Sequence, residues 1–167
     1  MSIKVLDADL QNAAQEGIDE FLNVFAQAYL KEINNELNAE SMEKLNGHQH
    51  SLLALHFFCE EVRNGGFVQL IQNGYGGYVF DNPFAKSLRI FGAHELSKLV
   101  YKAKKIYDEH KSELEKETTE EEFMAMYEQF EVFDDLEELF FEIEENEIAT
   151  IAHYVDQNIE LFVEIIA

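Results

Sequence analysis

The sequence has no tryptophan, one proline, one cysteine and only eight glycines among its 167 residues. Because proline and glycine most often interrupt helices, their scarcity favours long helices over short strands and turns. The single cysteine, Cys59, cannot form a disulfide within the chain, and no apolar run approaches the roughly 18 residues that a membrane span requires. The segment Met1 to Leu10 does not read as a secretory signal. These absences predict a cytoplasmic, all-helical protein.

A chain of this length can form one domain with a sizeable core. We therefore expect residues 1–167 to form one all-α, compact, multi-helix domain. The apolar spacing predicts helices over 9–37, 49–63, 67–72, 82–90, 93–111, from 119, over 133–145, and from 146 through Phe162. The expected breaks and caps are, in chain order, Gly65 with Gly66, the loop 73–77, Asn82 before Pro83, Gly92, Thr119 with Glu122, and Asn146.

Basic residues are scarce, and they are scarcest near the C-terminus. The chain has 34 acidic and 12 basic residues, a formal net charge of −22. Residues 1–106 have a net charge of −3, whereas residues 107–167 have a net charge of −19 and contain only two bases, Lys111 and Lys116. Such a charge opposes binding to nucleic acid or anionic lipid and favours basic partners. A charge that served solubility alone would be interspersed with bases.

The acidic segment is predicted to fold. Its acids alternate with apolar residues at helical spacing, which disordered acidic tails lack. The apolar residues are Phe123, Met126, Tyr127, Phe130, Phe133, Leu136, Phe140 and Ile143. We expect the acids to lie on a rigid frame rather than on a tail.

One set of acids has the spacing of a helix face. Glu131, Asp134, Glu138, Glu142 and Glu145 are three or four residues apart, which places carboxylates about 5–6 Å apart along a helix axis. Such a row could stand in loosely for the phosphates of one DNA strand, which rise about 3.4 Å per nucleotide. An ordinary solvated helix face is the alternative. The candidate partner-binding residues are Glu121, Glu122, Glu128, Glu131, Asp134, Asp135, Glu138, Glu142 and Glu145.

The sequence predicts no metal site, cofactor or catalytic residue. His48, His50, His56 and Cys59 are close in sequence, but we expect His56 and Cys59 to face the core and the other two to be exposed. The glycines between Gly65 and Gly77 lack the lysine and preceding strand of a phosphate loop.

A motif that begins at Glu61 resembles the signature of the DNA-mimic-protein family, a bacterial all-helical domain formerly of unknown function. The motif residues are Glu61, Asn64, Gly65, Gly66, Phe67, Gln69 and Asn73, with Gly92 in a second element, Ile90-Phe91-Gly92-Ala93. Phe133 to Leu136, Tyr154 with Val155, and Phe162 also fit, so the resemblance spans about residues 18–165.

The resemblance implies an all-helical fold and a negative surface that imitates double-stranded DNA and occupies a transcription regulator. The motif residues themselves read as architectural: a helix stop, a tight turn, a buried ring, and side-chain amides that hold loop backbone.

Three functions remain open from the sequence. The first is a non-enzymatic acidic protein that binds a basic protein, such as a DNA-binding transcription regulator. The second is an interaction or scaffold domain with incidental acidity. The third is a ligand-binding or enzymatic domain centred on residues 64–78, which a pocket lined by Glu61, Asn64, Gln69 and His56 would favour.

A homodimer is a further possibility from the sequence. A cluster of bases could meet an acidic face, either within the chain or across a dimer. Its members are Lys98, Lys102, Lys104 and Lys105.

Overall fold

The computed structural model describes residues 2–167 and confirms the all-helical class. The helices are α1 (Asp7–Glu16), α2 (Ile18–Glu32), α3 (Ala39–Met42), α4 (Gly47–Gln72), α5 (Gly76–Phe80), α6 (Phe84–Ile90), α7 (His94–Glu115), α8 (Glu120–Gln129) and α9 (Asp134–Gln157). Two 3-10 turns cover Glu131–Phe133 and Ile159–Leu161, and two short strands are β1 (Lys4–Leu6) and β2 (Glu164–Ile166).

Helix α4 is the centre of the core, in contact with α2, α5, α6, α7 and α9. Its Phe58 ring lies 5.4 Å from the ring of Phe140 on α9, 5.7 Å from Phe67 and 5.9 Å from Phe84, centroid to centroid. All four rings are almost completely buried. Each buried ring stabilises the fold by about 1.5–3 kcal/mol, and edge-to-face pairing adds to this. The core therefore fixes α9 against α4 through aromatic contacts.

The chain ends meet in a two-stranded parallel sheet that the sequence analysis did not predict. Lys4 pairs with Glu164 and Leu6 pairs with Ile166. The predicted last helix ends at Gln157 instead of continuing through Phe162, because the chain turns there to reach β1. Such a pairing between distant segments leaves no local periodicity to read.

The C-terminal turn is held to the core by one carbonyl. The Phe162 carbonyl accepts hydrogen bonds from the Tyr29 hydroxyl (2.9 Å) and from the side-chain amide of Gln49 (3.0 Å). Burial raises the pKa of Tyr29 far above its usual range, so its hydroxyl stays a donor.

Several predicted helix boundaries differ in the structure. Asn82 does not cap α6; its side-chain amide donates to the Tyr78 carbonyl (3.1 Å). Asn146 does not begin a helix but lies exposed within the continuous α9, where asparagine costs only a fraction of a kcal/mol. The predicted loop 73–77 is shorter, because α5 already begins at Gly76. The predicted capping box of Thr119 and Glu122 is confirmed.

The predicted helix end at Gly65 and Gly66 is a kink within α4. Gly66 has φ 74° and ψ −168°, a conformation that is essentially restricted to glycine. A break in the helical ladder leaves the next N–H groups without their intrahelical acceptor. The Phe67 N–H, which follows the kink, donates instead to the Glu137 carboxylate on α9 (2.8 Å). The kink and α9 are therefore joined by one hydrogen bond.

Replacing Gly66 with alanine should destabilise the fold. The backbone conformation costs about 1–3 kcal/mol for a non-glycine residue, and an added Cβ would also collide with the Glu137 carboxylate. Urea unfolding measures the difference. The matched control is Gly47→Ala at the start of α4, where an added Cβ meets open space and the free energy of unfolding should stay equal or rise. Equal free energies for the two variants would contradict the assigned role of the kink.

Replacing Glu137 with alanine should lower the free energy of unfolding by about 1–3 kcal/mol, because the Phe67 N–H loses its acceptor. Glu137→Gln retains a carbonyl acceptor and should cost less. The control is Glu138→Ala, which removes the same charge from the exposed neighbouring position and should change stability by at most about 0.5 kcal/mol. A loss at Glu138 as large as at Glu137 would show that charge, not the hydrogen bond, governs the effect.

Candidate partner-binding face

The nine predicted partner-binding acids are all exposed. They lie on α8 (Glu121, Glu122, Glu128), on the 3-10 turn (Glu131) and on α9 (Asp134, Asp135, Glu138, Glu142, Glu145). The acidic segment thus folds as expected, and its apolar residues Met126, Phe130, Phe133 and Phe140 are buried.

The predicted five-residue row begins at Asp134, three residues later than expected. Glu131 belongs to the 3-10 turn before α9, because the backbone departs from helix at Phe130 (φ −118°, ψ 43°). The row proper is therefore on α9. At about 100° of rotation per residue, its acids occupy an arc of about 100° on one side of the helix. The members of this α9 row are Asp134, Asp135, Glu138, Glu142 and Glu145.

The carboxylates of the α9 row have no hydrogen-bond or ion-pair partner within residues 2–167. Of the nine acids, only Glu122 has a hydrogen-bond partner within residues 2–167. It forms a capping box with Thr119. The backbone hydrogen bond from Thr119 lowers the pKa of Glu122. The α9 row therefore presents its negative charge to solvent.

Other acids of α9 hold the helix in place, and the sequence analysis missed these roles. Besides Glu137 at the kink, the Glu147 carboxylate accepts from the Leu96 N–H at the start of α7 (2.9 Å), and Glu144 pairs with Arg63 of α4 (2.9 Å). Burial raises the pKa of Glu137, although its hydrogen bond from Phe67 opposes the shift. These anchoring acids lie about 110–170° around the helix from the centre of the α9 row.

The motif residues do not hold the loop backbone as expected. The Glu61 carboxylate accepts from the side-chain amides of Gln69 (2.7 Å) and Asn73 (3.0 Å), so the amides bind a side chain. Asn64 is exposed. The buried ring of Phe67 agrees with the expectation.

Two glycines of the motif also make close contacts. The Gly65 carbonyl accepts from the Tyr127 hydroxyl (2.9 Å), which joins the motif to α8. Gly92 has φ 94° and ends α6 beside the Thr150 side chain of α9. The motif therefore positions the acidic helices.

The histidines differ in part from the prediction. His50 was expected to be exposed, but its ring is half-buried between the Tyr78 hydroxyl (2.8 Å) and the Met42 carbonyl (2.9 Å). His48 is half-buried as well. No group of three or more histidine, cysteine, aspartate or glutamate side chains in residues 2–167 is arranged to hold a metal ion.

The four residues that would line a ligand pocket do not share the cleft at His56. His56 lines a cleft of about 300 Å³ between α2, α4 and α9, together with Cys59 and Arg63. Glu61, Asn64 and Gln69 do not line this cleft. Burial lowers the pKa of His56 and raises the pKa of the Cys59 thiol to about 12, so the thiolate that nucleophilic chemistry needs is disfavoured.

The described helices include none with the length and apolar character to span a membrane.

Two comparisons with known proteins identify the chain's relatives. A family model described as "DMP19-like protein" matches residues 43–158, which include the kink, α7 and the whole acidic segment of α8 and α9. The chain is also 32% identical over 158 residues to the DNA mimic protein DMP19 of Neisseria meningitidis serogroup B (strain ATCC BAA-335 / MC58). That alignment covers 93% of this chain and 94% of the relative. The chain therefore belongs to the DMP19-like protein family.

Proposed function

We propose that this protein is a non-enzymatic DNA mimic that offers the α9 row to the DNA-binding surface of a basic protein, such as a transcription regulator. The observation that carries the proposal is that α9 places its anchoring acids and its unpaired acids on different sides of the helix. The anchoring acids face α4 and α7, whereas the five acids of the row face solvent without a partner in residues 2–167. Because a transcription regulator acts in the cytoplasm, we expect this protein to act there as well.

The charge of the row is not neutralised by nearby bases. Residues 117–147 contain 14 acids and no base. The two bases that precede this segment are paired elsewhere, Lys111 with Asp81 (3.5 Å) and Lys116 with Glu113 (3.1 Å). A surface of one sign on a rigid frame attracts a basic partner over a distance of about a Debye length.

The length of the row suits a short stretch of DNA backbone. From Asp134 to Glu145 the helix rises about 16 Å, which corresponds to the axial rise of about five nucleotides. Basic side chains of a partner that bind consecutive phosphates could therefore meet a carboxylate at each nucleotide step or at every second one. The name of the Neisseria relative, a DNA mimic protein, supports this assignment.

An interaction or scaffold domain with incidental acidity is the principal alternative. It differs from mimicry in two consequences: binding would not depend on the α9 row, and DNA would not displace the partner. A ligand-binding function at residues 64–78 has weaker support, because Glu61, Asn64 and Gln69 do not line the cleft that His56 lines.

The immobilised protein should capture DNA-binding proteins from a bacterial lysate, and added duplex DNA should release them, because DNA and the α9 row compete for one surface. The row variant Asp134→Asn/Glu138→Gln/Glu142→Gln/Glu145→Gln should lose most of this capture. The control, Asp9→Asn/Glu16→Gln/Glu32→Gln/Glu43→Gln, neutralises four exposed acids outside the face and should retain it. Unchanged capture by the row variant would favour the scaffold alternative, and an equal loss in both variants would show dependence on net charge alone.

The affinity for a captured DNA-binding protein should fall at least about tenfold between about 0.05 and 0.2 M salt, because the contact is made by exposed charges. The row variant should show a shallower dependence on salt, since fewer charges take part. Biolayer interferometry over a salt series measures both slopes. Identical slopes for the row variant and the wild type would contradict a contact made through the row.

A further inference from the structure

One surface of this acidic protein is basic. Residues 86–105, on α6 and α7, contain six of the chain's twelve bases and one acid, Glu95. Three of these bases form the basic band, which we define as Lys98, Lys102 and Lys105 of α7 with the tyrosine between them, Tyr101. All four side chains are exposed, and Tyr101 is 49% exposed. None of the three lysines has an ion-pair partner in residues 2–167, whereas Lys104 pairs with Asp108.

The α9 row repeats the pattern of the basic band with opposite charge. Glu138, Glu142 and Glu145 have the same four- and three-residue steps as Lys98, Lys102 and Lys105. An exposed aromatic residue lies between them as well: Phe141, which is 53% exposed. Each set occupies about 100° of its helix, with the aromatic residue at one edge.

The two patterns have the same axial spacing when the helices run side by side in the same direction. Both helices rise about 1.5 Å per residue, so each lysine reaches the level of a glutamate, and Tyr101 reaches the level of Phe141. His94 and Asp134, both exposed and four residues earlier, extend the match. A nucleic-acid strand also offers the lysines negative charge, but the chain's net charge of −22 opposes its approach.

The two surfaces cannot meet within one molecule. Helices α7 and α9 already contact each other through other sides, where the Leu96 N–H of α7 meets Glu147 of α9. The basic band and the α9 row both face solvent. A contact between them therefore requires two copies of the chain.

We propose that the protein associates with itself head to tail, with the basic band of one copy on the α9 row of the next. Because two different patches meet, the contact is heterologous and can close into a ring or continue along a chain of copies. The contact would cover the carboxylates of the α9 row, so self-association and the binding of a basic protein would exclude each other. It does not depend on which basic protein the face binds.

The proposal predicts an unusual dependence on salt. Two copies of net charge −22 repel each other, and at about 0.01 M salt this repulsion acts over about 30 Å. At about 0.1 M the screening length falls to about 10 Å, so the local attraction between band and row prevails. At about 1 M that attraction is screened too. Association should therefore be strongest at intermediate salt, whereas binding to a basic partner only weakens as salt rises.

Sedimentation velocity of the purified full chain over this salt series tests the proposal. The wild type should show its largest mean mass near about 0.1 M salt. The band variant Lys98→Glu/Lys102→Glu/Lys105→Glu should remain monomeric throughout. The control Lys4→Glu/Lys31→Glu/Lys44→Glu has the same net charge and reverses three exposed lysines elsewhere, so it should associate like the wild type.

A complementary exchange separates this contact from a general charge effect. The variant Glu138→Lys/Glu142→Lys/Glu145→Lys should also be monomeric alone, but it should form mixed complexes with the band variant. A wild type that is monomeric at every salt concentration would overturn the proposal, as would a band variant that associates like the control. The band variant leaves the α9 row intact and should still capture DNA-binding proteins, so the DNA-mimic function can fail or succeed independently.

Discussion

The hydrogen bond from the Phe67 N–H to the Glu137 carboxylate is the contact on which the arrangement of the acidic face depends. The Gly66 kink frees the N–H, and α9 supplies the acceptor. A helix held to the core only by rings could rotate or slide by repacking, since apolar contacts are not directional. A hydrogen bond to a carboxylate is directional, and together with Glu144 and Glu147 it fixes which side of α9 faces solvent.

The many acidic residues on α9 repel one another and destabilise the helix, and local structure offsets this only in part. Asp134, Asp135 and Glu137 lie in the first turn of α9, where the helix dipole favours negative charge. Farther along, Glu138 and Glu142 are four residues apart, and such like-charge pairs destabilise a helix by about 0.2–0.5 kcal/mol each. No base on α9 relieves them. The aromatic core tolerates this repulsion, and a row that costs stability without a folding role is what a binding surface would show.

The predictable part of this protein is the part that depends on local spacing. The helical class, the exposure of the nine acids and the Thr119 capping box follow from periodicity and cap chemistry. The β1–β2 pairing and the roles of Glu137, Glu144 and Glu147 arise from contacts between distant segments. Acids that anchor and acids that face solvent look alike in sequence, because only the packing of α9 against α4 and α7 distinguishes them.

The same pattern that makes a row attractive to a basic protein also makes it attractive to the protein's own basic band. Three lysines on one helix form few exposed ion pairs, each of which contributes little. A DNA-binding surface is built to contact many phosphates and offers more charges to the row. The basic protein should therefore displace the second copy when both are present, and the opposing repulsion between copies of net charge −22 makes that displacement easier. Weak self-association of this kind would cover the exposed α9 row and would still allow a partner of higher affinity to bind it.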